Sequence, residues 1–351
     1  MIRAAAILTC LLVALPATAA ADSARFAPRD VAATELADAT NGTAMSAAGG
    51  HVVFSRETSP RTYELVDWSA RGGLRTLPVG TRSRPFDADA GIDAQGHPLV
   101  AFSTCSARCS LRVLRLDRPD AGPTRLRLRG NRGLSLTTPS MRGHQVVAVA
   151  AAPRGSKNVR ILYWRTPGTA PRRLSGGTAR CPSYERCTTG PVTAVDALDL
   201  GRRSVAFVWG VDPGGDGTGA GEELRTAPLD GGHSRQAGRA QGYTSGACGY
   251  RSPGSPNALA DGGVGFVVSQ SPCDEDQTTI ARWRAKAADF EGARPTGTLV
   301  GGAAWDGTRV YWLSCAPRHD PDYNADVISG ACRLVVSSAV PFAPPTLTAH
   351  G

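Results

Sequence analysis

Six short, strongly apolar segments recur along this 351-residue chain, each within a few residues of a small-residue turn. The turns sit at Gly50, Gly96, Gly143, Gly201, Gly262 and Gly307. The segments behind them are residues 52–54, 99–102, 146–149, 205–208, 264–268 and 310–313. Such runs are too short for helices and are rich in Val and Phe, so they read as buried strands. Successive turn glycines lie 46, 47, 58, 61 and 45 residues apart. A period near 45 residues built of strands alone is the pattern of a β-propeller blade.

Each repeat divides into four strands, A to D. In the first these are residues 44–47, 52–56, 63–68 and 74–77; in the second, 86–93, 99–103, 110–116 and 124–128. Strand A is Ala- and Gly-rich in several repeats, as strands crowded around a central channel require. Residues 26–36 precede the first repeat and can supply the outer strand of the last blade, closing the ring and covering an edge. The expected fold is all-β, a six-bladed β-propeller of four-stranded antiparallel blades. Its repeats run over about 43–86, 87–134, 135–190, 191–249, 250–297 and 298–345. Seven blades, with a long repeat split, or an open β-sandwich array are the alternatives.

The stretch Val66-Asp67-Trp68-Ser69-Ala70-Arg71-Gly72-Gly73-Leu74-Arg75-Thr76-Leu77 resembles the repeat of TolB-like propellers: a strand, a Gly-rich turn and a basic-then-leucine return. Asp93-Ala94-Gln95-Gly96-His97-Pro98-Leu99 likewise resembles the Asp-x-x-Gly turns of secreted bacterial propellers. The resemblance implies a fold and little about activity.

Arg3 and the apolar run 4–15, followed by the small residues of 16–21, read as a signal peptide over residues 1–21, with residues 22–351 as one exported propeller domain. No later stretch is long and apolar enough to span a bilayer. Cleavage removes Cys10 and leaves eight cysteines, an even number suited to an oxidising compartment. Locality pairs Cys105 with Cys109, Cys181 with Cys187 and Cys315 with Cys332, which leaves Cys248 for Cys273. Of 39 basic residues all but Lys157 and Lys286 are arginine, which with 41 Gly and 25 Pro fits a GC-rich bacterial genome. The charge of the mature chain is about +8, which favours polyanionic surroundings over nucleic acid in an exported protein.

In an up-and-down blade the B–C turns and D–A crossovers share one face. All eight cysteines fall there, as do the insertions 212–223, 271–277 and 316–331 and the crossovers 180–190 and 241–255. Long loops pinned on a rigid scaffold are where binding resides, and Tyr184, Tyr243, Tyr250 and Tyr323 are the candidate ligand contacts there. Asp320, Asp322, Asn324 and Asp326 stand at alternate positions, a spacing that would suit calcium, but Ala325 stands where such loops carry glycine and a solvated acidic turn is the preferred reading. Calcium is therefore the one cofactor candidate. His51, His97 and His144 each follow a turn glycine and are read as polar turn residues. Arg125, Arg127 and Arg129 alternate with leucines on an outer strand, where arginines guard an edge.

Neither a Gly-x-Ser-x-Gly elbow nor sialidase-type Asp boxes occur, and no catalytic residue is assigned. The expected function is a secreted, monomeric, non-catalytic scaffold whose disulfide-stapled face recognises an extracellular protein or polymer. A metal-dependent hydrolase or oxidoreductase acting on a saccharide or lactone is the alternative.

Overall fold

The computed structural model describes residues 29–35, 44–106, 108–151, 158–178, 195–211, 221–243, 250–271, 277–285, 290–293, 299–307, 309–320 and 325–337. It begins with β1 (Arg29–Glu35). There follow β2 (Met45–Ala48), β3 (His51–Ser59), β4 (Thr62–Ser69) and β5 (Gly73–Thr76), an antiparallel sheet in chain order. Next come β6 (Ala88–Asp93), β7 (Pro98–Cys105), β8 (Cys109–Arg115) and β9 (Thr124–Arg125). The same up-and-down course recurs in β10 (Ser135–Gly143), β11 (Gln145–Ala151), β12 (Asn158–Trp164) and β13 (Arg172–Thr178). A further sheet is β14 (Val195–Leu200), β15 (Ser204–Val211), β16 (Gly221–Pro228) and β17 (Arg235–Tyr243). Another is β18 (Tyr250–Ala258), β19 (Val264–Ser271), β20 (Gln277–Trp283) and β21 (Phe290–Ala293). The last, β22 (Leu299–Asp306), β23 (Arg309–Asp320) and β24 (Ala325–Ser337), takes β1 as its outer strand. Among the described residues the only helical turn is a 3-10 turn at Pro119–Ala121.

The molecule is a propeller of four-stranded antiparallel blades. Four sheets stand separately, which differs from the expectation of six or seven separate blades. The remaining eight strands run as one sheet, β13-β12-β11-β10-β6-β7-β8-β9. The cause is local: β10 and β6 approach closely enough to pair in parallel at Arg142 with Ile92 and Gly143 with Asp93. The close approach needs a small residue, and Gly91 supplies it; a Cβ there would fall 2.2 Å from the Met141 carbonyl oxygen.

The apolar core is divided among the interfaces between sheets rather than gathered at the centre. Val146 and Ala148 face β7 and β8 through Leu99, Ala101 and Leu111. Their neighbours Val147 and Val149 face the opposite way, onto Val205 and Phe207. Alternate side chains of one strand thus feed two different cores, so strand B of each repeat is apolar throughout instead of alternating with polar residues. Likewise Val52 and Phe54 pack on Tyr311 and Leu313, while Val53 packs on Val100 and Phe102. Of the turn glycines, Gly50, Gly96, Gly143, Gly262 and Gly307 hold positive φ, which favours glycine on steric grounds. Gly201 does not; its added Cβ would stand 2.8 Å from the Ala258 side chain of the next sheet.

Two segments correct the sequence reading. The insertion expected as a loop over 316–331 is largely strand: β23 and β24 continue past the paired Cys315 and Cys332, with a register shift before Pro317, to Asp320 opposite Ala325. The crossover expected over 241–255 is likewise strand on both sides, since β17 ends at Tyr243 and β18 begins at Tyr250.

Candidate binding cleft

Disulfides join Cys105 to Cys109 and Cys315 to Cys332, with Cα separations of 3.9 and 4.0 Å. Both lie in B–C hairpins, between β7 and β8 and between β23 and β24. Cys181, Cys187, Cys248 and Cys273 lie outside the described residues, as do Tyr184, Tyr323, Asp322 and Asn324. Asp320 and Asp326 are placed at the tip of the β23–β24 hairpin by their backbone positions, and His319 pairs in register with Asp326. Among the described residues no group of three His, Cys, Asp or Glu side chains is arranged to hold a metal ion.

Beside the Cys105–Cys109 clip lies a cleft of about 670 Å³. Its floor is the half-buried Leu126 and Leu134 over the core residue Leu111, and its rim carries Arg108, Arg125 and Arg132. The local cause is the short outer strand. Residues 124–128 were expected to run as strand D, but ladder pairing covers only Thr124 and Arg125, followed by one bond from the Leu126 N–H to the Leu111 carbonyl. The chain then leaves its sheet: the Arg129 N–H donates to the Pro167 carbonyl, and the Trp164 indole N–H donates to the Arg129 carbonyl. Gly130 and Gly133, both at φ +77°, turn it back, with the Leu134 N–H donating to the Asn131 carbonyl. The far wall is fixed to the clip by the Cys109 N–H, which donates to the Ser135 hydroxyl at 3.0 Å.

All three rim arginines are exposed, and none of their guanidinium groups has a hydrogen bond or ion pair among the described residues. Most other arginines near acids are engaged, such as Arg115 with Asp117 and Arg56 with Glu64. In the sheet behind the rim, Arg125 stands directly opposite Arg112, a like-charge pair that opposes the strand pairing. The edge-guarding role expected for Arg125 is therefore only part of its setting: it also faces a concave, acid-free surface.

Around the channel a second polar system joins the inner strands. The Ser46 hydroxyl on β2 donates to the Asp89 carboxylate on β6 at 2.5 Å and accepts from the Ala90 N–H. Ser140 on β10 accepts from the Leu200 N–H, and Asp199 on β14 accepts from the Ala258 N–H. Asn257 on β18 bonds the Ala303 carbonyl and the Trp305 N–H, and Asp306 accepts from the Gly50 N–H, returning to the first sheet. Burial raises the Asp89 carboxyl well above its ordinary value, helped by the nearby charge of Asp199. Burial also raises Asp199, against the pull of the Ala258 and Leu200 N–H donors. This system clasps neighbouring sheets.

The histidines serve their own sheets. His51 Nδ1 lies 2.9 Å from the buried Asp67, which also takes Arg75, and His97 Nδ1 lies 3.0 Å from Asp93. His144 is exposed. With Arg75 donating to the same carboxylate, the His51–Asp67 pair fastens β3, β4 and β5 to one another.

No protein-family model matches the chain, and no curated protein matches it in sequence. Solved structures similar to it include TolB from Acinetobacter baumannii, at 13% identity and TM-score 0.44 over 84% of this chain and 65% of that one. A puromycin-hydrolysing peptidase from Mycobacterium tuberculosis gives 16% identity and TM-score 0.43 over 86% and 49%. The β-propeller domain of the Trilobed protease from Pyrococcus furiosus gives 9% and 0.41 over 78% and 92%. The chain thus spans just under two thirds of the first and about half of the second. The propeller itself rests on the strand order and sheet contacts.

Proposed function

We propose that this protein is an exported, non-catalytic recognition scaffold whose disulfide-stapled loop face binds an extracellular protein or polymer. The observation that carries the reading is the cleft beside the Cys105–Cys109 clip, where unpaired arginines rim a leucine floor on a pinned loop. A rigid concave surface with few, placed polar groups is what a binding site requires. Export is supported by the two disulfides and the amino-terminal sequence. Among the described residues no helix is long and apolar enough to cross a membrane.

The ring belongs to the same proposal, and we count six blades, taking the eight-stranded sheet as two. Supporting this, its halves are joined by only two residue pairs, and an apolar cluster packs between them as between the separate sheets.

The test uses the immobilised oxidised protein, exposed to the culture supernatant and the wall fraction of the encoding organism. The wild type should retain a specific component, and C105S/C109S should lose it while remaining folded by circular dichroism. Retention unchanged by that variant, or none by the wild type, overturns the reading.

A further inference from the structure

The cleft beside the Cys105–Cys109 clip also points to a chemical class of partner, and this step rests on the scaffold reading above. Three exposed guanidinium groups, Arg108, Arg125 and Arg132, converge on its rim without an acid among them. They come from three separate segments: the clip itself, the short outer strand β9 and the crossover that follows it. Exposed arginines on flexible surface are ordinarily solvated and weakly paired. Here each backbone is pinned: by the disulfide for Arg108, by ladder pairing for Arg125, and by the Gly130–Gly133 turn for Arg132. Repulsion between Arg112 and Arg125 adds to this, because a bound anion relieves it. A planar guanidinium presents paired donors whose geometry matches a carboxylate.

The floor narrows the choice further. Leu126 and Leu134, half-buried above the core residue Leu111, give the cleft an apolar bottom that a bare phosphate chain would leave wetted and unused. Asn131, Ser106 and Ser110 supply uncharged donors and acceptors between floor and rim. A ligand that satisfies both layers carries carboxylates and apolar side chains in close alternation.

We propose that this cleft is the docking site for an acidic, leucine-type peptide segment of an extracellular protein. Its carboxylates pair with Arg108, Arg125 and Arg132, and an apolar side chain seats on the half-buried Leu126 and Leu134.

The experiment is a fluorescence-anisotropy titration of the oxidised protein with a labelled peptide of alternating glutamate and leucine. Its glutamine–leucine analogue and labelled polyphosphate are run beside it. The expected result is saturable binding of the acidic peptide in about the micromolar range, weakened at least about tenfold by R108E/R132E and by the glutamine analogue. Melting temperature should be unchanged in that variant, because both side chains are exposed and unpaired. Binding that weakens with R108E/R132E but not with L126S would refute the leucine floor. Tight binding of polyphosphate with none of the peptide would replace the partner class, and failure of all probes would refute an anion site. Either failure leaves the scaffold reading standing if C105S/C109S still abolishes retention, so the two are separable.

Discussion

At the residue scale the most consequential groups are the two buried aspartates of the inner strands. Burial raises both Asp89 and Asp199 in the folded protein above the ordinary Asp value of 3.8. From that value up to the raised ones, the native state holds protons that the unfolded chain has already released. Stability must therefore fall as the pH rises through that window and level off above it. D89N keeps the shape without the charge and should flatten the fall; thermal melts across the acidic range measure it, and an unchanged slope would show that Asp89 does not titrate there. Gly91 gives a second test. Because a Cβ would strike the Met141 carbonyl, G91A should cost about 1–3 kcal/mol by overpacking, read by urea unfolding. None of this was legible from spacing. The polar residues of the inner strands stand at unequal distances before their turn glycines, because the turns differ in length. Counted instead from their partners in the next strand, Ser46, Ser140 and Asp199 fall opposite Val53, Val147 and Ala206, the second residue of each apolar run. Register is what sequence alone does not supply.

At the element scale the strands were far more readable. Strands feeding two cores are apolar throughout, and the turn glycines mark where they begin, so all six B strands were found within a residue or two of their true starts. Of the outer strands, β5 falls one residue from its expected place, but β9, with a partner on one side only, is two residues long against an expected five, and that shortfall opens the cleft. The long hairpin of β23 and β24 was mistaken for a loop because Pro317, Pro321 and alternating acids resemble turn chemistry. The two described disulfides should differ in weight. The Cys315–Cys332 bridge closes a separation of 17 residues against 4 for Cys105–Cys109. Chain-entropy scaling gives about 3 and about 2 kcal/mol. Denaturant unfolding of C315A/C332A and C105S/C109S checks the order, and a larger loss from the short clip would contradict it.

At the scale of the whole molecule the propeller stores its stability in interfaces between sheets, and the cleft beside the Cys105–Cys109 clip lies outside them. The overall charge of +9 is carried almost wholly by arginine, so long-range attraction to acidic partners accompanies the local cleft. Binding of the acidic peptide should weaken steeply with added salt; salt-independent affinity would place the energy in the leucine floor alone. Closure is the other molecular property open to test. Deleting residues through Glu35 removes β1 and bares the outer edge of β24. Light scattering should then show self-association that the full chain lacks.

That pairing of β1 with β24 joins Arg29 to Val336 and Glu35 to Ala331, residues 307 and 296 positions apart in the sequence. No ribosome can deliver both until the strands of every intervening sheet have been made. The first and last sheets therefore stay unclasped until β24 has emerged. Distant pairings of this kind form late and slowly. A product truncated before β24 never acquires its clasp and keeps that edge open to proteolysis, so the fold doubles as a receipt for complete synthesis of these sheets.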